Sequence, residues 1–588
     1  MENKKVKIVS IISIIALVIT VIGATYAYFV AQTGEGKSTD IKINANTVDT
    51  FTFEAGSALN LSLNQENFAS GKGNQTGTTF AKAMLTANNK TNTATEHYYL
   101  YLNISNNTFT YSIDNNTPEI LLSIKDGSNN EITTLTGLTY KTVTDGKGAS
   151  IKGFDITTKS GLITILNNRE ITTTSSKTEQ WNVTVTFVNY NSNQAGNAGK
   201  NFTAKLMIQK EKILTLAEHV ISQYTGTQGD NALYYHNSTL TNGAGDNSYR
   251  YAGGDYVLTD AGKATGATMM IGYDETVTTA LIDFYCNGTK QFVGYASSSC
   301  STHYYQIKGE TTQYQTYNEA LSASVEKGYL TKDNVKNFVC FGSDASTCPT
   351  ENLYRIIWVF NNQVKLVKWD YAKSSLLGTD GDFSQEYTSK YFSGEQGESP
   401  SSNSLYYWNN AGTNTWSESN LNKINLNTNF VNNIGTIWAK KIATTTWKVG
   451  GGTYANIVTS VPKTAYQYEV GANASSTTVD AKIGLMYASD YYYSASPSAW
   501  TLVGYNSSDA TKDYRFSKGE NWLYGGGWDW TISHGSDRSY DVFHVNVHGY
   551  VNYDNVNGYR GARPSFSLLS STTYVSGSGT QSDPIRIN

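Results

Sequence analysis

The apolar and polar positions divide this chain into stretches of different period. From Ile8 to Val30 no charged residue occurs, and Lys4, Lys5 and Lys7 stand just before the run. About 20 consecutive apolar residues suffice to cross a bilayer. Flanking lysines hold their end in the cytoplasm, so the remainder of the chain is expected outside it. The run ends in GATYAYF, where Thr25 and Ala27 have the size and spacing that cleavage after Ala27 requires. Residues 1–31 therefore read as a signal peptide or as a retained membrane anchor, and both readings stay open. The expected localisation is the same for each: exported, and at the surface or secreted.

Residues 36–210 alternate at period two. NTVDTFTFE, SALNLSLN, EHYYLYLNIS, TFTYSI, EILLSIKD, QWNVTVTFVNY and NFTAKLMIQK read as strands, separated by Gly/Asn/Asp/Ser clusters that suit turns. In the sixth, Trp181, Val183, Val185 and Phe187 share one face, and Asn182, Thr184 and Thr186 the other. Seven such strands predict an all-β sandwich. Together with the preceding GATYAYF, the pattern resembles the exported β-sandwich subunits of the biofilm-fibre and camelysin type. A plain spacer domain satisfies it equally.

At KEKILTLAEHVISQY the period changes, and Ile213, Leu216, Ala217, Val220 and Ile221 fall on one helical face. Residues 211–352 read as the start of a C-terminal domain. They include an inserted subdomain over about 255–338 that carries a second helix around YNEALSASVEKGY. Residues 353–588 form its body. LYRIIWVF and QVKLVKWD are strands joined by Asn361-Asn362, a turn pair, and WSESNLNKINLNTNFVNNI reads as helix. Near the end, Phe543, Val545 and Val547 alternate with His544, Asn546 and His548. Likewise Trp528, Trp530 and Ile532 alternate with Asp529 and Thr531, so the polar sets are expected to face solvent or a partner. The whole chain is thus expected to be multidomain: an N-terminal helix, a sandwich and an α+β domain.

Composition narrows the function. Charged residues are 16% of the chain, against a usual ~25%, while tyrosine occurs 43 times. Apolar content of 39% still supports folded cores. A net charge of −4 with no basic run lacks the footprint that nucleic acid requires. Four cysteines, Cys286, Cys300, Cys340 and Cys348, in an exported chain read as two disulfides. Of three connectivities, the nearest-neighbour pairing is expected.

The motifs of serine hydrolases, zinc proteases, P-loops and dinucleotide folds are absent from the sequence, so neither catalysis nor a cofactor is expected. His544 and His548 make half a metal site at most, with no acidic or cysteine partner fixed nearby. TDGDFSQE places Asp380, Asp382 and Glu386 at oxygen-ligand spacing but lacks the EF-hand glycine and bidentate glutamate. It is expected to be a surface loop.

In order along the chain, YRIIWV…VKLVKWD, W-S-x-S-x-LN, IGLMYASDYYYSA, NWL…WTIS, GYRGARPSFSL and SGSGTQSDP resemble bacterial surface domains ending in W-x-x-S…G-x-RP-x-x-x-L. Those domains are similar to the lectin-like variable proteins of diversity-generating retroelements and, more distantly, to formylglycine-generating enzymes. The resemblance covers about 220–588. It implies a C-type-lectin-like fold whose C-terminal strands and loops, about 522–560, form a binding face for a protein or glycan. In the retroelement proteins that face is enriched in Asn, Tyr, Ser, Asp, His and Gly, as this stretch is. The Glu-Pro-Asn and Gln-Pro-Asp calcium tripeptides of sugar-binding lectins are absent, which departs from a carbohydrate site. All four cysteines lie upstream of the body, which departs from the formylglycine enzymes.

The expected exposed face comprises Tyr524, Trp528, Asp529, His534, Asp537, Arg538, Tyr540, His544, Asn546, His548, Tyr550, Asn552, Tyr553 and Asn555. Tyrosine offers large contact area with few torsions to freeze, and Asn and Ser offer adaptable hydrogen bonds. GARPSFSL closes the stretch. Pro564 marks the start of a strand, Phe566 and Leu568 point inward, and Arg563 is expected to dock on a carboxylate or carbonyls and pin that strand. The sequence leaves two readings of function: a surface binding protein, or a subunit that polymerises into a surface fibre or biofilm matrix through its sandwich.

Overall fold

The computed structural model describes residues 49–588 except 69–71, 89–91, 255, 273–277, 292–299, 332–334 and 388–402. The apolar run before Val30 lies outside the described residues. Among those described, no helix is long and apolar enough to cross a membrane. The described residues are β-rich and divide after Ile213 into two compact units.

Among the described residues ten strands build the first unit: β1 (Thr50–Ala55), β2 (Leu59–Ser62), β3 (Gln75–Thr86), β4 (Ala94–Asn107), β5 (Ile120–Asp126), β6 (Tyr140–Thr144), β7 (Ser150–Asp155), β8 (Gly161–Thr173), β9 (Ser176–Phe187) and β10 (Asn201–Gln209). They form two sheets, β1-β3-β9-β5-β7-β6 and β2-β10-β4-β8. The expected face of β9 is observed. Val183, Val185 and Phe187 stand opposite Ile124, Leu122 and Ile120 of β5. They bury with Trp181 against Leu100, Leu102, Phe202 and Leu206 of the other sheet. Trp181 Nε1 donates to the Tyr98 hydroxyl (2.8 Å), which donates to Glu179 (2.7 Å), so both buried polar atoms are satisfied.

TFTYSI does not form a strand. Its backbone finds side-chain partners instead of a ladder: the Ser112 amide donates to Glu119, and the Thr110 amide and carbonyl bond the Asn197 side chain. Glu119 is fully buried and also accepts from Gln194 and Asn197 at 2.8 Å.

In the second unit the helix is shorter than its apolar period suggested. It runs over Leu216–Ser222 because Thr215 and Glu218 close a capping box at its start. One sheet runs in the order Leu233–Tyr235, Tyr249–Tyr251, Leu353–Phe360, Gln363–Lys368 and Ser565–Ser567, with Phe338–Cys340 also paired to Leu353–Phe360. Asn361 and Asn362 both have positive φ (48° and 59°), the conformation that a tight two-residue hairpin demands. A second sheet runs in the order Phe383–Tyr387, Asn403–Tyr407, Tyr559–Gly561, Asp529–His534, Asp541–Val545 and Val551–Asn555.

One core joins both sheets. It takes Leu216, Ala217 and Val220 from the helix, Ile356 and Leu366 from the first sheet, and Trp530 and Phe543 from the second. The segment around the Cys286–Cys300 disulfide has its own small core, including Leu281, Phe284 and Ile307. The second disulfide joins Cys340 to Cys348, so both bridges follow the expected pairing.

TDGDFSQE lies at the surface as expected, with residues 379–381, Gln385 and Glu386 exposed, but Asp382 departs from it. Asp382 is 1% exposed and accepts the backbone N–H groups of Asn410 and Leu421, holding the start of the helical segment Leu421–Phe430. Among the described residues no group of three or more His, Cys, Asp or Glu side chains is placed to hold a metal.

Candidate functional site

The C-terminal sheet positions the stretch singled out by its composition, and its topology decides which side chains reach solvent. Strand Asp541–Val545 is interior, with Asp529–His534 on one side and Val551–Asn555 on the other. All five of its residues are buried. Strand Asp529–His534 is buried throughout as well. Alternation there does not mean inside and outside, because both faces of the sheet are covered.

Four of the fourteen residues expected on an exposed face are consequently buried: Tyr524, Asp529, His534 and His544. Tyr524 donates its hydroxyl to the Val547 carbonyl. His534 sits between the carbonyls of Val449 (2.8 Å) and Gly535 (3.1 Å). His544 lies edge-on to Trp530, ring centroids 6.0 Å apart. Burial, aided by the neighbouring Arg560 charge, pulls its imidazole down to about 3, so it stays neutral. The register of Asp529–His534 also shifts between Trp530 and His534. There the Ile532 amide leaves the ladder for the Met486 carbonyl, and Thr531 donates to the Phe543 carbonyl.

Asp529 is paired with Arg563, which donates from Nε to Oδ2 (2.6 Å) and from Nη2 to the Leu523 carbonyl (2.8 Å). Burial still lifts the Asp529 carboxyl to about 6. Arg563 thus takes the scaffold role expected of it. Strand Ser565–Ser567 starts directly after Pro564, with Phe566 and Leu568 fully buried.

The other ten residues reach the surface wholly or partly. Asp537, Arg538, Tyr540, Tyr553 and Asn555 are exposed; Trp528, Asn546, His548, Tyr550 and Asn552 are half-buried. They do not form one flat face. Val551–Asn555 ends its sheet, so its side chains meet solvent on both sides. Asn552 stands opposite His544, whereas Tyr553 stands opposite Phe543 and so points to the other face.

Two surface groups result. In the first, the Val556 amide donates to the Tyr540 carbonyl (2.9 Å), bringing loop 535–540 beside turn 555–558. Tyr540 and Tyr559 are each 46% exposed there, and Tyr407 stands edge-on to Tyr559. Asn414 holds the loop from below. Its Nδ2 donates to the carbonyls of Gly535 (2.7 Å), Arg538 (2.8 Å) and Asp541 (3.0 Å). In the second group, Tyr553 packs edge-on against Tyr454 and Tyr550 against Tyr505, with the Arg515 guanidinium 5.0 and 5.3 Å from the Tyr505 and Tyr550 rings. Asp513 fixes that arginine.

Tyr559, Tyr407, Tyr454, Tyr505 and Arg515 were not among the residues expected from sequence. Tyr559 had a readable signal, since it follows the Asn557-Gly558 turn pair. The others arrive from distant segments, and only the fold brings them together. Neither group offers a nucleophile paired with a base. Both offer aromatic area on short, internally bonded backbone. No family model, no curated protein and no solved structure matches the chain.

Proposed function

We propose that this is an exported surface protein whose C-terminal unit is a lectin-like binding module, gripping a protein or glycan through loop 535–540, edge strand Val551–Asn555, the turn that follows it and the flanking tyrosines. One observation carries the reading: Tyr540, on the loop held by Asn414, and Tyr553 and Tyr559, on strands of the C-terminal sheet, are 45–46% exposed. Large side chains left in water on ordered backbone are the makings of contact anchors. Two disulfides support an oxidising, extracellular setting. The mixture of Tyr, Asn, Asp, Ser and His at the loops supports a diversified variable region, and a nearby reverse-transcriptase template copying 522–560 is the genetic observation that tests it. No catalytic step is part of the reading.

The fibre alternative has its own support. β8 is 13 residues long, lies at the end of its sheet and is largely exposed from Asn167 to Glu170, so it offers a template for pairing with another chain.

The test is binding of labelled full chain to intact bacterial cells, epithelial cells and a glycan array. Replacing Tyr540 and Tyr559 together by alanine is expected to weaken capture at least about tenfold, the scale of interface anchors, with thermal stability unchanged. Undiminished capture by that variant refutes the placement of the site.

A further inference from the structure

Away from the loops, the second unit buries charge without an evident binding use. Register across the first sheet sets Arg250 opposite Trp358, and Trp358 opposite Lys365. These three side chains therefore form one row on one face. Two helices close over the row. Ala488–Tyr493 delivers Asp490, and Pro462–Glu469 delivers Glu469 from its last position. Lys365 Nζ lies 2.7 Å from Asp490 Oδ2, and the two side chains are 2% and 4% exposed. The rings of Tyr487, Trp447 and Trp358 surround the amine at 4.7, 5.1 and 5.7 Å.

Arg250 is already balanced by Asp246 (2.8 Å), so its charge does not depend on Asp490. Its Nη1 makes no hydrogen bond among the described residues, yet stands 3.5 Å from Asp490 Oδ1. Glu469 is 4% exposed and accepts the amides of Ala488 and Ser489 and the Ser533 hydroxyl.

We propose that Lys365 and Asp490 condense into an intramolecular amide bond that staples the sheet to the 488–493 helix. The amine and carboxylate are pre-positioned, dry and walled by aromatic rings, the conditions under which proximity replaces activation. The atoms balance without a co-reactant. Lys365 passes a proton to the carboxylate, and its freed nitrogen lone pair attacks Asp490 Cγ. Oδ1 takes up the negative charge facing Arg250 Nη1, the unpartnered donor on that side. The new C–N bond stays, the C–Oδ2 bond breaks, and Oδ2 leaves as water carrying two protons that began on the ammonium. Nothing is oxidised or reduced.

Glu469 holds the amides of Ala488 and Ser489, the two residues directly before Asp490, and is assigned the relay of the second of those protons from nitrogen to Oδ2. Burial lifts its carboxyl to about 7, so it both holds and releases a proton near neutrality. Burial likewise pulls the Lys365 amine down from its ordinary value, favouring the neutral nucleophile. The product replaces two buried charges by one neutral amide, removing the desolvation cost that a buried ion pair carries.

The experiment is a tryptic digest of the reduced, denatured full chain, read by mass spectrometry. A branched species joining residues 356–368 to residues 483–512 is expected, lighter than its two parts by one water, with cleavage after Lys365 blocked. Recovery of 356–365 and 483–512 as unmodified linear peptides, with no branched species, overturns the proposal. Lys365→Arg is expected to abolish the branch and release linear 483–512. Glu469→Gln is expected to leave most chains linear, and full branching in that variant removes the role given to Glu469. The primary readout uses the unaltered chain, so it does not depend on any variant folding.

Discussion

The Arg563–Asp529 pair allows a stringent test of the claim that the Arg-Pro closing the polar stretch is scaffold. Arg563→Met keeps the length of the side chain and removes the charge. It takes two donors away, from Asp529 Oδ2 at 2.6 Å and from the Leu523 carbonyl at 2.8 Å, at a site where both partners are 1–2% exposed. The orphaned carbonyl and lost bonds cost about 1–2 kcal/mol at any pH. The remaining cost depends on the carboxyl. In the native chain Asp529 is held at about 6, above its ordinary value, because burial outweighs Arg563. A group raised in the folded state gives stability that is present at low pH and lost as pH rises through the folded value.

Without Arg563 that value moves higher still. Below pH 6 Asp529 is protonated in both folded forms and adds nothing to the difference between them. Above pH 6 the variant loses a further ~1.4 kcal/mol per pH unit relative to the native chain. The expected penalty is therefore about 1–2 kcal/mol at pH 5 and about 4 kcal/mol at pH 8, the latter within the range for breaking a buried pair. Urea unfolding followed by tryptophan fluorescence measures it. Ten of the eleven tryptophans lie beyond Ile213, with Trp181 the exception, so the signal reports the second unit. Equal penalties at the two pH values, or a penalty under about 1 kcal/mol at pH 8, refute the reasoning.

Glu469 is raised from 4.5 to about 7 by burial, so its contribution is complete below pH 4.5 and falls by about 3 kcal/mol as pH rises to 7. Glu469→Gln is expected to flatten that slope in unfolding curves taken across the window. His544 has the opposite sign. Its imidazole is pulled down to about 3, so stability is lost as pH falls below 6.5, and His544→Leu is expected to remove about 1.4 kcal/mol per pH unit of that acid sensitivity. Asn414→Ala strips the hydrogen bonds from Gly535, Arg538 and Asp541. About 1–3 kcal/mol of stability, with faster hydrogen exchange confined to 535–541, is the expected outcome. Replacing Cys340 and Cys348 together by serine opens a bridge of sequence separation 8 and is expected to cost about 2–3 kcal/mol by thermal melting.

Local signals were legible where one local rule governs. The Asn361-Asn362 hairpin follows from the tolerance of asparagine for positive φ, and the β9 face from simple alternation over an open core. The cysteine pairing followed from nearness along the chain. Signals failed where tertiary cover overrides period. His544 alternates with valines as an outward residue should, yet its strand is interior in a sheet covered on both faces. TFTYSI has strand composition, but Glu119 and Asn197 claim its backbone. Asp382 looked like a loop carboxylate and instead holds a helix start. Of the candidate site, Tyr540, Tyr550 and Tyr553 were legible because they lie in one polar stretch. Tyr407, Tyr454 and Tyr505 were not, because only the folded sheet and its flanking helices bring them alongside.

The measurement closest to the central claim places a photo-crosslinking amino acid at single positions of the full chain and illuminates it on intact cells. With the probe at Tyr540 or Tyr559, adducts to a foreign protein or glycan are expected, and with the probe at Asn167 on the β8 edge none are expected. Chain-to-chain adducts at Asn167, with neither Tyr540 nor Tyr559 labelling a partner, contradict the binding account and favour polymerisation through the sandwich.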